Sequence, residues 1–321
     1  MSGISTNALV DGGKAAGLSV LFGLVLAFMP VLAILAVPLL PIPVAYVIAR
    51  HGLAPGGLTA LAAGALLIAV EPFSGILAFL LMALAGTGAG IMLRRGASQA
   101  RLLAVLSALF LAAMVIWAAV VMLSTGMGPV EAVHNVTGQM LAAGQQSSSL
   151  IGGQDGLNQL RDILDLMPYL LPSLMLVAAM AFSAIAVFLA RPVFARLDQE
   201  FPAGAPFRDL RLHYSLAYLM IGGLVCYLVS PFVSDSASSV IYLVGLNMLI
   251  VSQALFFVQA IAIAYYFLTQ YNVSRVKRIG VYACLVLLQM TLSLPSWMAL
   301  FDIWFDYRRR FAKKGKISQS S

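Results

Sequence analysis

Charge is what this chain has least of: Asp, Glu, Lys and Arg make up 10% of its 321 residues, against roughly 25% in soluble domains. That scarcity excludes a soluble globular fold with an ordinary solvated surface. Histidine and cysteine are also rare, at three and two residues, so proton-relay chemistry is thinly supplied. Cys226 and Cys284 both lie inside apolar runs and are expected to be buried thiols, not a disulfide framework or metal site. His134-Asn135-Val136-Thr137 contains an isolated sequon and a histidine with no second His or Cys at ligand spacing, so neither metal nor cofactor is expected. Gly12-Gly13-Lys14 lacks the upstream glycine and following hydroxyl of a phosphate-binding loop, and ATP therefore cannot drive this chain unaided. There is no zinc-protease histidine pair and no nucleophile elbow. The expectation is a protein that is not an enzyme.

What is present is apolar length. Hydrophobic residues make up 61% of the chain and the mean hydropathy is +0.96. Runs of about 20 apolar residues recur, enough to cross a hydrocarbon core as helix, where every backbone polar group must be satisfied internally. The fold class is all-α: a polytopic integral membrane protein of about 8 to 9 transmembrane helices, read as one membrane domain over 1–321. The net charge of +7 falls in short clusters between apolar spans without aromatic interleaving, which points to membrane orientation and not to nucleic acid.

Residues 1–16 are polar, and the apolar run from Gly17 is longer than a signal-peptide core, so an uncleaved first helix is expected near 17–37. Pro38, Pro41 and Pro43 then predict a short, irregular second element near 39–50, because each removes a donor and disfavours helix before it. Such an element survives in a membrane when buried in protein or lining a cavity, which makes it a candidate wall of a central site. Further spans are expected at 55–70, 74–93, 102–123, 168–190, 213–232 and 239–269. In the fourth, Gly86 and Gly90, like Ala85 and Ala89, share a face suited to close helix packing.

Between the fifth and sixth spans, residues 124–166 are acidic and expected outside the cytoplasm. Val130, Val133, Val136 and Met140, and again Leu157, Leu160, Ile163, Leu164 and Met167, follow helical spacing. Gln145-Gln146-Ser147-Ser148-Ser149 and Gly152-Gly153 read as a loop between them. Two interfacial helices, or a lid over a pocket, are the readings. Arg50, then Arg94, Arg95 and Arg101, then Arg191, Arg196, Arg208 and Arg211, then Arg275, Lys277 and Arg278 alternate onto one side, which the positive-inside tendency makes cytoplasmic.

Polar residues inside spans are costly unless partnered. Asn247, Gln253 and Gln259 in the eighth span are therefore ligand-binding candidates, with helix-to-helix hydrogen bonding as the plainer reading. Glu71 is the best isolated carboxylate near a membrane face, and a solvated helix end explains it more simply.

The last apolar segment, 279–305, starts beside Arg278 and is followed by Arg308, Arg309, Arg310, Lys313, Lys314 and Lys316. A straight crossing would put all of these outside, against the positive-inside tendency. A break at Pro295 would give halves of about 14 and 11 residues, roughly 20 and 16 Å, neither able to span. A re-entrant hairpin or shallow interfacial helix is expected, with 308–321 a basic cytoplasmic tail. Asp302 and Asp306 would share a helical face, and Asp306 could pair with Arg310. Trp297, Trp304 and Tyr307 suit an interfacial belt.

Four stretches carry a resemblance: Pro38-Leu39-Leu40-Pro41-Ile42-Pro43, Pro206-Phe207-Arg208-Asp209-Leu210-Arg211-Leu212, Val258-Gln259-Ala260-Ile261-Ala262-Ile263-Ala264 and Leu300-Phe301-Asp302-Ile303-Trp304-Phe305-Asp306-Tyr307-Arg308. In order and spacing they resemble the YybS-like family of bacterial membrane proteins, over nearly the whole chain, with Ala260 and His213 departing from its expected glycine and proline. The resemblance implies a bacterial inner-membrane protein related in fold to the substrate-capture subunits of energy-coupling-factor vitamin transporters, a fold that also includes a cell-shape scaffold. The expected function is a membrane-embedded module that binds or transports a small solute, with an energising membrane partner, the lipid bilayer around it and a ligand the sequence does not name. Its pocket is expected near the Pro-rich element, the 124–166 segment and the polar face of span eight. The alternative is a non-enzymatic scaffold that docks envelope or membrane proteins.

Overall fold

The structure is a computed structural model and describes residues 5–146, 153–204, 206–233 and 235–311. Among the described residues all regular structure is helical. The protein is an all-α polytopic membrane protein, and eight of its helical stretches are long and apolar enough to cross a bilayer. They are Thr6–Phe28, Val31–His51, Leu53–Val70, Pro72–Arg94, Gln99–Thr125, Leu160–Arg196, Ser215–Phe232 and Ser238–Gln270. The residues group into two compact units, Met1–Pro168 with Met175–Gly204, and Tyr169–Leu174 with Ala205–Ser321.

The first unit opens with α1 (Thr6–Phe28), which begins well before the expected residue 17. Ser5 caps it by accepting from the Ala8 N–H at 3.3 Å. Asp11 is tolerated inside it because His51 Nε2 lies 2.8 Å and Arg50 Nη1 3.6 Å from the same carboxylate oxygen. The helix ends at Met29, just before Pro30, with φ −127° and ψ 77°, the departure from helix expected of a residue preceding proline.

The break therefore comes at Met29, not in the Pro38–Pro43 run. Pro38 lies inside α2 (Pro30–Leu39), while Pro41 and Pro43 fall in the first turn of α3 (Pro41–His51), where missing donors cost nothing. Leu40 between the two helices keeps φ −52° and ψ −43°, so 31–51 runs as one span.

That element is the centre of its unit. Seven of the eight residues from Pro41 to Ile48 are buried, packed against α1, α4 (Leu53–Val70) and α6 (Thr87–Arg94). Between α5 (Pro72–Leu80) and α6 runs a π-helical turn, Leu81–Gly86. The expected small-residue face packs on α3: a Cβ on Gly90 would come 2.9 Å from the Ala45 carbonyl oxygen. α7 (Gln99–Thr125) adds Leu102, Leu106 and Phe110 to this core.

α8 (Pro129–Gln146) covers the first amphipathic stretch. The second does not form a separate helix, because α9 runs unbroken from Gly153 to Arg196, 44 residues or about 66 Å if straight. Pro168 and Pro172 were expected to start a span and instead lie within this helix. Residues 147–152, most of the expected loop, lie outside the described residues, as do residues 312–321 of the basic tail.

The second unit contains a 3-10 turn (Phe207–Asp209), α10 (Ser215–Val229), α11 (Asp235–Gln270), α12 (Arg275–Leu292) and α13 (Leu294–Phe305). α10 and α11 approach until a Cβ on Gly245 would stand 2.8 Å from the Tyr227 backbone nitrogen. α12 and α13 are bent by 99°. The bend sits at Ser293, in the left-handed region with φ 53°, two residues before the expected break. Pro295 instead occupies the first turn of α13, where proline is well tolerated. α13 then runs back along α11, burying Ser296, Ala299, Leu300 and Asp302. No side chain of α12, all of whose residues are described, is buried. Cys284, expected to be buried, is accordingly exposed there, and Cys226 is only half-buried.

Candidate functional site

Three of the four stretches singled out in the sequence meet at one end of the second unit. α13 stops at Phe305 because Asp306 takes φ 41° and ψ 64°, a left-handed conformation that only a minority of non-glycine residues adopt. The turn brings Arg308 back under the helix. Its Nη1 donates to the Arg208 carbonyl at 2.7 Å, and its Nη2 to the Leu210 carbonyl at 2.8 Å and to Asp302 Oδ2 at 3.3 Å. Asp302 Oδ1 accepts from the Tyr307 N–H at 2.8 Å. Arg308 and Asp302 side chains are 4% and 5% exposed, so this is a buried ion pair with extra hydrogen bonds, the arrangement in which such a pair holds its geometry.

Gln259 completes the frame. Its Oε1 accepts from the Leu212 N–H at 2.9 Å and its Nε2 donates to the Ala299 carbonyl at 3.1 Å, joining the loop, α11 and α13 through one buried amide.

Over this frame lies a cleft of about 350 Å³ lined by Asp209, Arg211, Tyr266, Asp306, Arg308 and Arg309. Arg211 meets Asp306 fork to fork, Nη1 to Oδ2 and Nη2 to Oδ1, each at 3.1 Å. Burial pushes the Asp306 carboxyl up, but the Arg211 hydrogen bonds, the Arg309 backbone N–H and the charges of both arginines outweigh it and hold the group below its ordinary value. The expected Asp306–Arg310 pair is not made: the helix ends before Asp306, and the Arg310 guanidinium lies 5.5 Å from the Phe305 ring centre. Arg309 is exposed and has no ion pair among the described residues. The guanidinium donors that Asp306 leaves free on Arg211, together with Arg309 and the Tyr266 hydroxyl, can receive an anion.

The four ligand-binding candidates do not line this cleft. Asn247 accepts from the Ser173 N–H at 3.2 Å and donates to the Tyr169 carbonyl at 3.0 Å, bracing α9 where Pro172 removes a ladder hydrogen bond. Neighbouring-helix side chains beside an internal proline help a membrane helix to carry it. Gln253 accepts from the Ser293 hydroxyl at 3.0 Å, at the bend before α13. Gln259 belongs to the frame beneath the cleft. Glu71, in the first unit, caps α5 by accepting from Phe73 N–H at 3.2 Å and Ser74 N–H at 2.6 Å. The Pro-rich element lines an apolar cavity of about 20 Å³ with residues of α6, α7 and α9, room for little more than one water.

Arg211, Arg308 and Arg309 were read from the sequence only as topology markers. The available signal was the recurrence of Asp and Arg close together in two distant stretches, Arg208-Asp209-Leu210-Arg211 and Asp302 to Arg309; Arg208–Asp209 and Asp302–Arg308 pair within their own stretches, and Arg211–Asp306 joins the two. Among the described residues no group of three or more His, Cys, Asp or Glu side chains is placed to hold a metal ion.

The profile of the family described as "Predicted membrane protein (DUF2232)" matches residues 17–303. The chain is 23% identical over 275 residues to "Uncharacterized protein YybS" of Bacillus subtilis (strain 168), covering 82% of this chain and 84% of that protein. No solved structure matches.

Proposed function

We propose, for a chain that belongs to the predicted membrane protein family DUF2232, a non-enzymatic role as a membrane-embedded module that binds a small solute for a transport system energised by a partner. The observation that supports this is the cleft of about 350 Å³, within the size range of small-ligand sites, standing on a floor of buried and mutually fixed polar groups. A fixed floor under exposed, incompletely used donors is the arrangement that favours binding, because little ordering remains to be done when the ligand arrives.

The host membrane in this reading is a bacterial inner membrane, with the cleft on the cytoplasmic side. Arg208 and Arg211 belong to a basic loop, and α13 returns the chain end beside α11, where the Phe267 and Phe311 ring centres lie 6.0 Å apart. Arg308 to Arg310 would then share the side of Arg275, Lys277 and Arg278, as the positive-inside tendency requires.

The test is a thermal-stability screen of the purified full chain against small metabolites, in parallel with Arg211→Gln. Saturable stabilisation of the wild type that the variant loses is the expected result; a broad screen with no stabilising solute would overturn the reading. A second reading, a scaffold that docks other membrane proteins, is favoured by α12, which buries no side chain within its own unit. Partners that co-purify with the wild type and are lost on exchanging the α12 surface would favour that reading over the first.

A further inference from the structure

The chemistry of the cleft narrows the ligand. The lining carries three arginines (Arg211, Arg308 and Arg309) against two aspartates (Asp209 and Asp306), and Asp209 also lies 3.8 Å from Arg208, so cations are in excess. Their roles differ. Arg308 is consumed by the frame: its two terminal nitrogens serve two carbonyls and Asp302. Arg211 gives two of its donors to Asp306 and retains the rest of its five. Arg309 has no carboxylate partner among the described residues. Planar guanidinium forks with unused N–H groups match tetrahedral oxyanions in geometry and charge. Tyr266 adds a hydroxyl on the α11 side of the same cleft.

The surroundings are rich in aromatic side chains. Around the cleft stand Phe207 against Tyr265, Tyr266 against Phe267, and Phe305 against Tyr307, with ring centres 6.2, 5.3 and 6.2 Å apart. Aromatic residues collect where a helix end meets the headgroup layer. A cationic cleft with such a rim suits the two phosphates available at a membrane surface, those of lipid headgroups and those of phosphorylated solutes in the adjoining water.

We infer that the cleft bounded by Arg211, Arg309 and Tyr266 binds a phosphate group, and that Asp306 is the internal carboxylate which occupies Arg211 until the phosphate arrives. This deepens the reading of the cleft as the solute site and rests on it. Asp306 is a positioning residue here: it never touches the reacting world outside except by competing for Arg211. The phosphate belongs either to a free solute or to a lipid headgroup, and the two sources are separable by experiment.

Full-length protein in a phosphate-free maltoside micelle is titrated at constant ionic strength with inorganic phosphate, with dioctanoyl phosphatidylglycerol, and with dioctanoylglycerol as the phosphate-free lipid, reading Tm and tryptophan fluorescence. Saturation by inorganic phosphate assigns a soluble phosphorylated ligand. Saturation by the phosphatidylglycerol alone, with dioctanoylglycerol and inorganic phosphate inactive, assigns a headgroup. In either case Arg309→Gln weakens binding by about tenfold or more, the loss of a hydrogen bond to a charged group. Asp306→Asn tightens it, and Arg309→Lys, which keeps the charge but not the fork, falls between. Should Arg309→Gln fail to purify folded, the Asp306→Asn and Arg309→Lys pair still decides the matter.

No saturation by either phosphate source, or saturation indifferent to these variants, overturns the inference. If at the same time an uncharged or cationic solute stabilises the wild type but not Arg211→Gln, the phosphate assignment falls while the binding-module reading stands.

Discussion

The two units are held together by different means. In the first, α3 is an apolar axle: Leu40, Val44 and Ile48 are fully buried among Leu81, Met82 and Phe110, and its neighbours approach over glycine and alanine. In the second, the apolar core is smaller, and side-chain amides, hydroxyls and one guanidinium tie helices to one another and to the backbone of the loop before α10. Lipid offers helices no hydrophobic reason to associate, so close packing and interhelical hydrogen bonds are what remain. The protein uses both in each unit, but the first leans on packing and the second, beside the close approach of α10 and α11, on hydrogen bonds. The packed unit holds a cavity too small for a solute, whereas the hydrogen-bonded one carries the cleft: polar fixings can reach a membrane face without exposing a greasy core.

The contrast can be broken most severely at Arg308. Arg308→Met leaves Asp302 buried with only the Tyr307 N–H and releases the Arg208 and Leu210 carbonyls, for a loss of about 3–5 kcal/mol. Unfolding in mixed micelles measures it, and adding Asp302→Leu is expected to restore most of the loss, since a well-packed apolar pair can replace a buried ion pair. In the first unit the corresponding disruption is steric. A Cβ on Gly75 would come 2.6 Å from the Leu67 carbonyl oxygen and the Ile68 nitrogen, backbone atoms that yield only if α4 and α5 part. Gly75→Val should therefore cost about 1–3 kcal/mol by overpacking in the same assay.

A smaller effect sharpens the role of the amides. Gln259→Leu strands the Leu212 N–H and the Ala299 carbonyl in a buried place and should cost about 1–2 kcal/mol; Asn247→Leu, whose partners lie on an existing helix, should cost less. The smallest effect is in pH. Asp306 is held below its ordinary value in the folded protein, so its contribution to stability is fully present above about pH 4, the unfolded value. It is lost as the pH falls through the lower folded value. Acid titration of Tm should show a steeper decline in the wild type than in Asp306→Asn, which keeps the contribution of Glu71, a carboxyl that the Ser74 and Phe73 hydrogen bonds also hold below its ordinary value.

Much of this architecture was legible in the sequence, because apolar length alone determines which segments can cross a bilayer. Breaks were less legible. Three prolines within six residues suggested a rupture, yet the first turn of α3 absorbed Pro41 and Pro43 and Pro38 sits inside α2, while the single Pro30 broke the chain through its effect on Met29. The bend before α13 lies at Ser293, a residue with no intrinsic claim to it, fixed there by Gln253. Asn247, Gln253 and Gln259 were recognisable as polar groups needing partners, but periodicity within one helix does not name the partner, and all three partners are distant in sequence. The cleft was hidden for the same reason: it exists only when residues about a hundred positions apart come together.

That separation has a consequence for the order of manufacture. The Arg208 carbonyl and the Arg308 guanidinium that receives it are 100 residues apart, and at about 5–20 residues per second the ribosome needs on the order of 5–20 s to make the second after the first. During that interval the loop ahead of α10 has nothing to grip, and its carbonyls must stay hydrated at the membrane edge. The turn from Asp306 to Arg308 is therefore the fastener of the second unit. A nascent protein that has not yet reached Arg308 already has the eight apolar spans of the described residues and no latch.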